Sequence, residues 1–156
     1  MVNEKEYMNL DVVDVHNSVT QILRYNSFVE EELSDLGKKG YPNEICGFLL
    51  GEIAEFETVT RVIEVENRAV EKERKFEINP LDYVRVEQLA LDLGLDVIGV
   101  YHSHPNYPAI PSAHDLKFAQ KEFSYVIISV DGNGLVLITS WKNINKKFRN
   151  QKIKIN

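Results

Sequence analysis

The regular alternation of short apolar runs with helix-start signals is the feature that most constrains the fold of this chain. Asn79 followed by Pro80 predicts a helix over Pro80–Leu93, because Asn caps helices and Pro is favoured at the first helical position. Gly94 ends this helix, and the apolar run Leu95–His102 that follows is typical of a buried strand. Strands interleaved with helices predict an α/β domain built on a single mixed β-sheet with flanking helices.

Seven further segments fit the same scheme. Predicted helices cover residues 28–39 and about 112–123, and predicted strands cover residues 19–25, 45–53, 58–66, 125–130 and 135–141. Ser27 and Glu30 form a capping-box signature at the start of the first helix. The Asp131-Gly-Asn-Gly134 sequence predicts a hairpin between the last two strands. The charged stretch 67–75 predicts a mobile loop.

Length and composition limit the class of protein. A chain of 156 residues fits one domain, and its 44% hydrophobic and 27% charged residues are typical of a folded protein. The single cysteine, Cys46, excludes a disulfide framework and a four-cysteine zinc site. Because the N-terminus lacks a signal-peptide pattern and no apolar run approaches about 20 residues, we expect a cytoplasmic protein with no membrane association.

The charge distribution argues against a role in binding nucleic acid. The net charge of the chain is −6, yet residues 142–156 carry six Lys or Arg side chains and no acidic one. The rest of the chain is therefore strongly acidic, whereas a general nucleic-acid binder needs clustered basic residues. We expect the basic tail to be a solvated terminal strand, with contact to an acidic partner as the alternative.

Four residues near the middle of the chain carry the strongest chemical signal. His102 and His104 are two positions apart in a predicted strand, so their imidazoles point to the same face. Ser112 and Asp115 are three positions apart at a predicted helix start, so they also share a face. Two imidazoles and one carboxylate form the ligand set of a catalytic zinc that keeps one position open for water.

Each half of this pattern has an ordinary structural interpretation. A Ser-x-x-Asp sequence is usually a helix cap with an acid in the first turn, and a His-x-His sequence is more often structural than ligating. Their co-occurrence at this spacing favours the metal site. Capping and ligation are also compatible, because a carboxylate has two oxygens and about four lone pairs.

The motif His102-x-His104-x7-Ser112-x-x-Asp115, with Glu44 upstream in the run Glu44–Gly51, resembles the JAMM (JAB1/MPN/Mov34) zinc metalloprotease family. The resemblance spans about residues 42–130 and is closest to small bacterial-type members. It implies a cytidine-deaminase-like/MPN architecture. We expect residues 25–156 to form the JAMM/MPN-type metallopeptidase domain and residues 1–24 to be an N-terminal extension.

The resemblance also implies a role for each motif residue. His102, His104 and Asp115 would bind one Zn²⁺ per chain, Glu44 would act as general base on a metal-activated water, and Ser112 would donate a hydrogen bond to the oxyanion. The implied activity is that of a peptidase or isopeptidase. Its substrate would be the bond after the C-terminal Gly-Gly tail of a ubiquitin-like or sulfur-carrier protein.

Three alternatives stay open at this point. The chain could be a non-catalytic MPN-type scaffold that binds a ubiquitin-like partner, although all five motif positions are filled. It could resemble the DNA-repair-associated members that carry a related His-x-His-Pro motif, which the acidic composition disfavours. Cys46 could be a thiol nucleophile paired with a histidine, but both candidate histidines are better used as ligands.

Overall fold

The computed structural model describes residues 22–156, which form one mixed β-sheet with flanking helices, as predicted. Its strands are β1 (Ile22–Tyr25), β2 (Cys46–Ile53), β3 (Glu57–Val65), β4 (Asp96–Pro105), β5 (Ser124–Val130), β6 (Val136–Ile144) and β7 (Lys147–Ile155). The helices within this part of the chain are α1 (Ser27–Gly40), α2 (Pro80–Leu93) and α3 (Ala113–Lys117).

The sheet closes on itself in the order β1-β3-β2-β4-β5-β6-β7. Closure depends on β1, which pairs in parallel with both β3 and β7. The basic tail is a terminal strand, as expected, but it is only partly solvated, because Phe148 and Gln151 of β7 are buried. Residues 22–24 of the predicted N-terminal extension belong to β1, and the remainder of that extension lies outside the described residues.

Capping residues explain where the helices begin and end. α2 matches its prediction because Asn79 accepts a hydrogen bond from the Leu81 N–H and Gly94 adopts a left-handed φ of 66°. α1 is capped by Asn26, whose side chain accepts from the Val29 N–H, so the predicted capping box at Ser27 is wrong. Asn26 and Ser27 are adjacent and both are favoured N-cap residues, so the sequence alone did not show which of them caps the helix. α3 is shorter than predicted and ends at Lys117, with Phe118 as its C-cap.

The apolar run of β2 is continuous because both faces of the sheet are covered. Leu49 packs against α1 residues such as Leu33 on one face, and Phe48 packs in a second cluster with α2 residues such as Val86 on the other. Alternate residues of a strand thus reach different cores. The second face also carries α3 and the end of β4, where the predicted site residues lie. No helix within residues 22–156 is long and apolar enough to cross a membrane.

Candidate metal centre

His102 and His104 lie near the C-terminal end of β4, which is held between β2 and β5. Both imidazoles are fully buried. Because the residues are two apart in a strand, their side chains point to the same face and the two Nε2 atoms are 3.0 Å apart.

Asp115 reaches the histidine pair from α3. Ser112 caps this helix: its hydroxyl accepts from the Asp115 N–H (3.2 Å), and Oδ2 of Asp115 accepts from the Ser112 N–H (2.8 Å). The same Oδ2 lies 3.2 Å from Nε2 of His102 and 3.2 Å from Nε2 of His104. The helix cap therefore aims the carboxylate at the imidazoles, so capping and convergence coexist here.

The three atoms form a nearly equilateral triangle that fits a metal ion. Ligands held at 2.0–2.1 Å from a tetrahedral zinc are separated from one another by about 3.3 Å. Nδ1 of His104 donates to the Pro108 carbonyl oxygen at 2.8 Å, so Nε2 is the ring nitrogen left to face the site. It lies 3.2 Å from the carboxylate oxygen of Asp115, so a metal ion placed between them would be bound by both atoms.

Burial and neighbouring groups set the protonation states of the cluster. Burial lowers the pKa of His102, and this effect outweighs the opposing pull of Asp115. For Asp115, burial alone would raise the pKa, but the charges and hydrogen bonds of His102 and His104 hold it well below its usual value. A neutral imidazole and an ionised carboxylate are the forms that bind metal ions.

Glu44 lies beside the histidine pair, just before β2. It is 1% exposed, and one of its carboxylate oxygens lies within 4.8 Å of ligand nitrogens of both histidines. The adjacent residue fixes it to β4: the Ile45 N–H donates to the Ser103 hydroxyl (2.9 Å), and the Ile45 carbonyl accepts from the Ser103 N–H (3.0 Å). The structure therefore brings all five residues of the predicted motif to one end of β4.

Cys46 also lies at this end, directly across the ladder from His102, but it is not equipped as a nucleophile. Its side chain is fully buried and its thiol contacts the Val65 carbonyl oxygen at 3.8 Å. Burial, reinforced by Glu44, raises the pKa of the thiol to about 12. Because the thiolate is the reactive form, the alternative of a cysteine nucleophile is disfavoured.

A cleft of about 660 Å³ opens beside Asp115. Its walls are mainly aromatic and apolar, with Phe76, Ile78, Tyr83, Phe118 and Tyr125 among the lining residues. The Phe76 ring also stacks on His102, with ring centres 4.4 Å apart and planes inclined by 24°. His114 contributes to the same wall, where its Nε2 lies 3.4 Å from the Phe76 carbonyl oxygen.

Sequence reasoning missed the residues that support the site from the loop between β3 and α2. Residues 67–75, which their charge predicted to be a mobile loop, fold around the buried amide of Asn67. No periodicity marks Asn67 or Phe76 in the sequence. An uncharged Asn and a single aromatic ring within a charged stretch were the only signals available.

Comparison with known proteins gives a consistent result. A family model described as prokaryotic homologs of the JAB domain matches residues 27–144. A desampylase of Haloferax volcanii is 37% identical over 92 residues, which are 58% of this chain and 66% of that protein. A desampylase of Pyrococcus furiosus is 32% identical over 64% of this chain and 69% of its own length. A probable TtuB-protein conjugate cleaving protease of Thermus thermophilus is 35% identical over 47% of this chain and 50% of its own length.

Solved structures share the fold. The solution structure of a Desulfitobacterium hafniense protein superposes with a TM-score of 0.76 at 26% identity, covering 86% of this chain and 92% of that one. The crystal structure of a JAB1/MPN domain protein from Archaeoglobus fulgidus superposes with a TM-score of 0.53 at 16% identity, covering 86% and 96% of the two chains. The second likeness is one of fold alone, and it agrees with the predicted MPN architecture.

Proposed function

Because this chain belongs to the prokaryotic homologs of the JAB domain, as its motif implied, we propose that it is a zinc-dependent peptidase or isopeptidase. The proposed reaction is hydrolysis of the bond that follows the C-terminal Gly-Gly tail of a ubiquitin-like or sulfur-carrier protein. The names of its relatives, desampylase and conjugate cleaving protease, support this class of substrate.

The observation that carries the proposal is the triangle of donor atoms from His102, His104 and Asp115, with separations of 3.0–3.2 Å. We assign these three residues as the zinc ligands. Glu44 also has a carboxylate oxygen within 4.8 Å of ligand nitrogens of both histidines. We choose Asp115 as the third ligand because its oxygen lies 3.2 Å from Nε2 of each histidine, close to the separation that a tetrahedral zinc requires. Glu44 is then free to act on the substrate side of the site. A bound zinc ion supplies Lewis acidity, which polarises a carbonyl group and lowers the pKa of a coordinated water.

The remaining residues of the motif move protons and stabilise charge. Glu44 acts as general base, takes a proton from the attacking water and returns it to the leaving amine. Its burial at 1% exposure keeps this carboxylate out of bulk water. Ser112 accepts the Asp115 N–H with its oxygen, so its hydroxyl proton remains available for the developing oxyanion.

The cleft supports an extended chain as substrate. It runs beside Asp115 and offers apolar walls to the residues that precede the scissile bond. Phe76 stacks over His102 at one side of the site. We propose that the Phe76 ring beside the metal ligands favours glycine at the positions nearest the bond, because glycine brings no side chain up to the ring.

A cleavage assay tests the proposed function. Substrates would be a ubiquitin-like protein and a sulfur-carrier protein, each joined after Gly-Gly to a peptide or to a lysine side chain. We expect the zinc-loaded wild type to release the carrier with its Gly-Gly terminus intact, and Glu44→Gln to be inactive although it still binds zinc. Binding of the carriers without cleavage by zinc-loaded wild type would instead support the scaffold alternative.

A further inference from the structure

The loop between β3 and α2 is organised by one buried amide side chain. Asn67 is 8% exposed and uses its full hydrogen-bonding capacity. Its Nδ2 donates to the carbonyl oxygens of Glu44 (2.8 Å) and Lys75 (2.9 Å). Its Oδ1 accepts from the N–H groups of Ala69 (3.0 Å) and Glu77 (3.1 Å). This one side chain therefore ties both halves of the loop to the start of β2.

Glu44 receives its backbone restraints from this loop. It lies two residues before the start of β2, and its N–H donates to the Lys72 carbonyl oxygen at 2.7 Å. Its own carbonyl oxygen accepts from Asn67. Both main-chain polar groups of the proposed general base are thus bound by the loop, so the position of its carboxylate depends on the loop keeping its shape.

The same loop holds His102 through Phe76. Asn67 binds the residues on either side of Phe76, Lys75 through its carbonyl oxygen and Glu77 through its N–H. The Phe76 ring then stacks on His102. This stacking is important because Nδ1 of His102 has no hydrogen-bond partner among residues 22–156, whereas Nδ1 of His104 is fixed by the Pro108 carbonyl.

We propose that Asn67 is a positioning residue for the metal centre. Asn67 fixes the position of Glu44 by a direct hydrogen bond and the position of the His102 ring through Phe76. The inference rests on the proposed function for the role of Glu44, but its effect on metal binding can be measured without any substrate. Residues that orient metal ligands typically change metal affinity by about 10- to 100-fold when they are replaced. We expect Asn67→Ala to fall in this range.

The matched control is Asn143→Ala. Asn143 is 4% exposed, and its amide also donates to a loop carbonyl, that of Gln120 at 2.9 Å. It follows Lys142, which pairs with Ser124 at the start of β5, whereas His104 pairs with Ser129 near the end of that strand. Each variant therefore removes the hydrogen bonding of a buried amide, but of the two only Asn67 binds the backbone of Glu44 and of the residues on either side of Phe76.

The experiment compares zinc affinity, measured by competition with a chelator, and the visible spectrum of the Co²⁺-loaded proteins. We expect both variants to melt at a lower temperature than the wild type. Only Asn67→Ala should bind zinc about 10- to 100-fold more weakly and show a shifted Co²⁺ spectrum. Wild-type zinc affinity and spectrum in folded Asn67→Ala would overturn the inference.

A second variant covers the case in which Asn67→Ala fails to fold. Phe76→Leu keeps the Asn67 hydrogen bonds and removes the stacked ring, so it should also weaken zinc binding, with a smaller loss of kcat than Asn67→Ala because Glu44 stays in place. Unchanged zinc affinity in Phe76→Leu would overturn the route through His102. Failure of the wild type itself to bind zinc would overturn the proposed function, which separates the two outcomes.

Discussion

The two ends of the sheet both bury charged side chains, but they arrange them in opposite ways. At the end where β3 and β5 begin, Glu57 is 2% exposed and forms an ion pair with Lys142, which is 5% exposed. The Ser124 hydroxyl donates to the second oxygen of Glu57 at 2.6 Å. Gln151 adds a longer contact of 3.4 Å to the same oxygen. In this cluster a cation, an anion and neutral donors satisfy one another.

At the other end, the imidazole nitrogens of His102 and His104 and a carboxylate oxygen of Asp115 converge on one point. Nδ1 of His104 donates to the Pro108 carbonyl oxygen, so Nε2 is the nitrogen that faces Asp115. Buried charge alone therefore does not identify a functional site. The charges of Glu57 and Lys142 balance each other within the ion pair. The three donor atoms of His102, His104 and Asp115 can instead bind a cation.

The end of the sheet that carries His102, His104 and Asp115 is called the metal end. The largest expected effect comes from removing one of these three proposed metal ligands. Asp115→Asn keeps an oxygen that can accept the Ser112 N–H, so α3 should still form. Structural zinc sites bind with about 10–16 kcal/mol shared over four ligands, so loss of one ligand should weaken zinc binding by roughly 100- to 1,000-fold. Chelator competition measures this loss. Asp82→Asn, in the first turn of α2, is the control and should bind zinc as the wild type does.

The ion pair at the opposite end should affect stability instead. Lys142→Met leaves Glu57 buried without its cation and should lower the free energy of unfolding by about 3 kcal/mol. Urea denaturation measures this change. Replacing both partners, with Lys142→Met and Glu57→Leu, should recover much of the loss, because no charge is then left unpaired. Loss of zinc from Lys142→Met while the protein remains folded would contradict the division between the two ends.

The pH dependence of stability should distinguish the ends further. Since burial lowers the pKa of His102 below 6.5 in the native state, the unfolded chain binds this proton first as the pH falls. The metal-free protein should therefore lose stability as the pH drops below about 6.5. Asp115, whose native pKa is also lowered, should contribute a second loss below its usual value of 3.8.

Urea denaturation of the metal-free protein at pH 8, 6.5 and 5 checks this prediction. The His102→Gln variant should show a smaller loss of stability between pH 6.5 and 5, because the group that takes up the proton is gone. Equal losses in wild type and variant would show that His102 is not the group responsible.

The smallest effect is expected at Cys46, which lies beside His102 but is buried and has a raised thiol pKa. Cys46→Ala should leave hydrolysis within about twofold of wild type and cost about 1 kcal/mol of stability, the value of a small truncation in a core. A thiol with a pKa of about 12 should also resist alkylation at pH 8 in the folded protein. Rapid labelling with loss of hydrolysis would revive the cysteine nucleophile.

The sequence predicted the parts of the site that local spacing controls. His102 and His104 share a strand face, and Ser112 and Asp115 form a helix cap, so their convergence could be expected from two short motifs. Glu44 was different, because an acid before a strand has no distinguishing pattern, and only the family resemblance marked it. The contact of Asn67 with Glu44 could not be predicted from the sequence, because the two residues are distant in the chain.

The fold shows the same limit. Asn79 and Gly94 are local signals, and they placed α2 correctly. Closure of the sheet depends on β1 meeting β7, whose sequence alternates basic and apolar residues and signals only a strand at the surface. Pairing between the two ends of a chain is a long-range property, which no short window of sequence contains.

Whether His102, His104 and Asp115 bind zinc can be measured by elemental analysis of the purified protein. The analysis would compare the wild type with His104→Ala at the metal end, with Lys142→Met at the opposite end of the sheet, and with Glu44→Gln. We expect one zinc ion per chain in the wild type, Lys142→Met and Glu44→Gln, and none in His104→Ala. A wild type that holds no zinc after reconstitution, or a His104→Ala variant that keeps it, would show that these residues are not the ligands of a zinc ion.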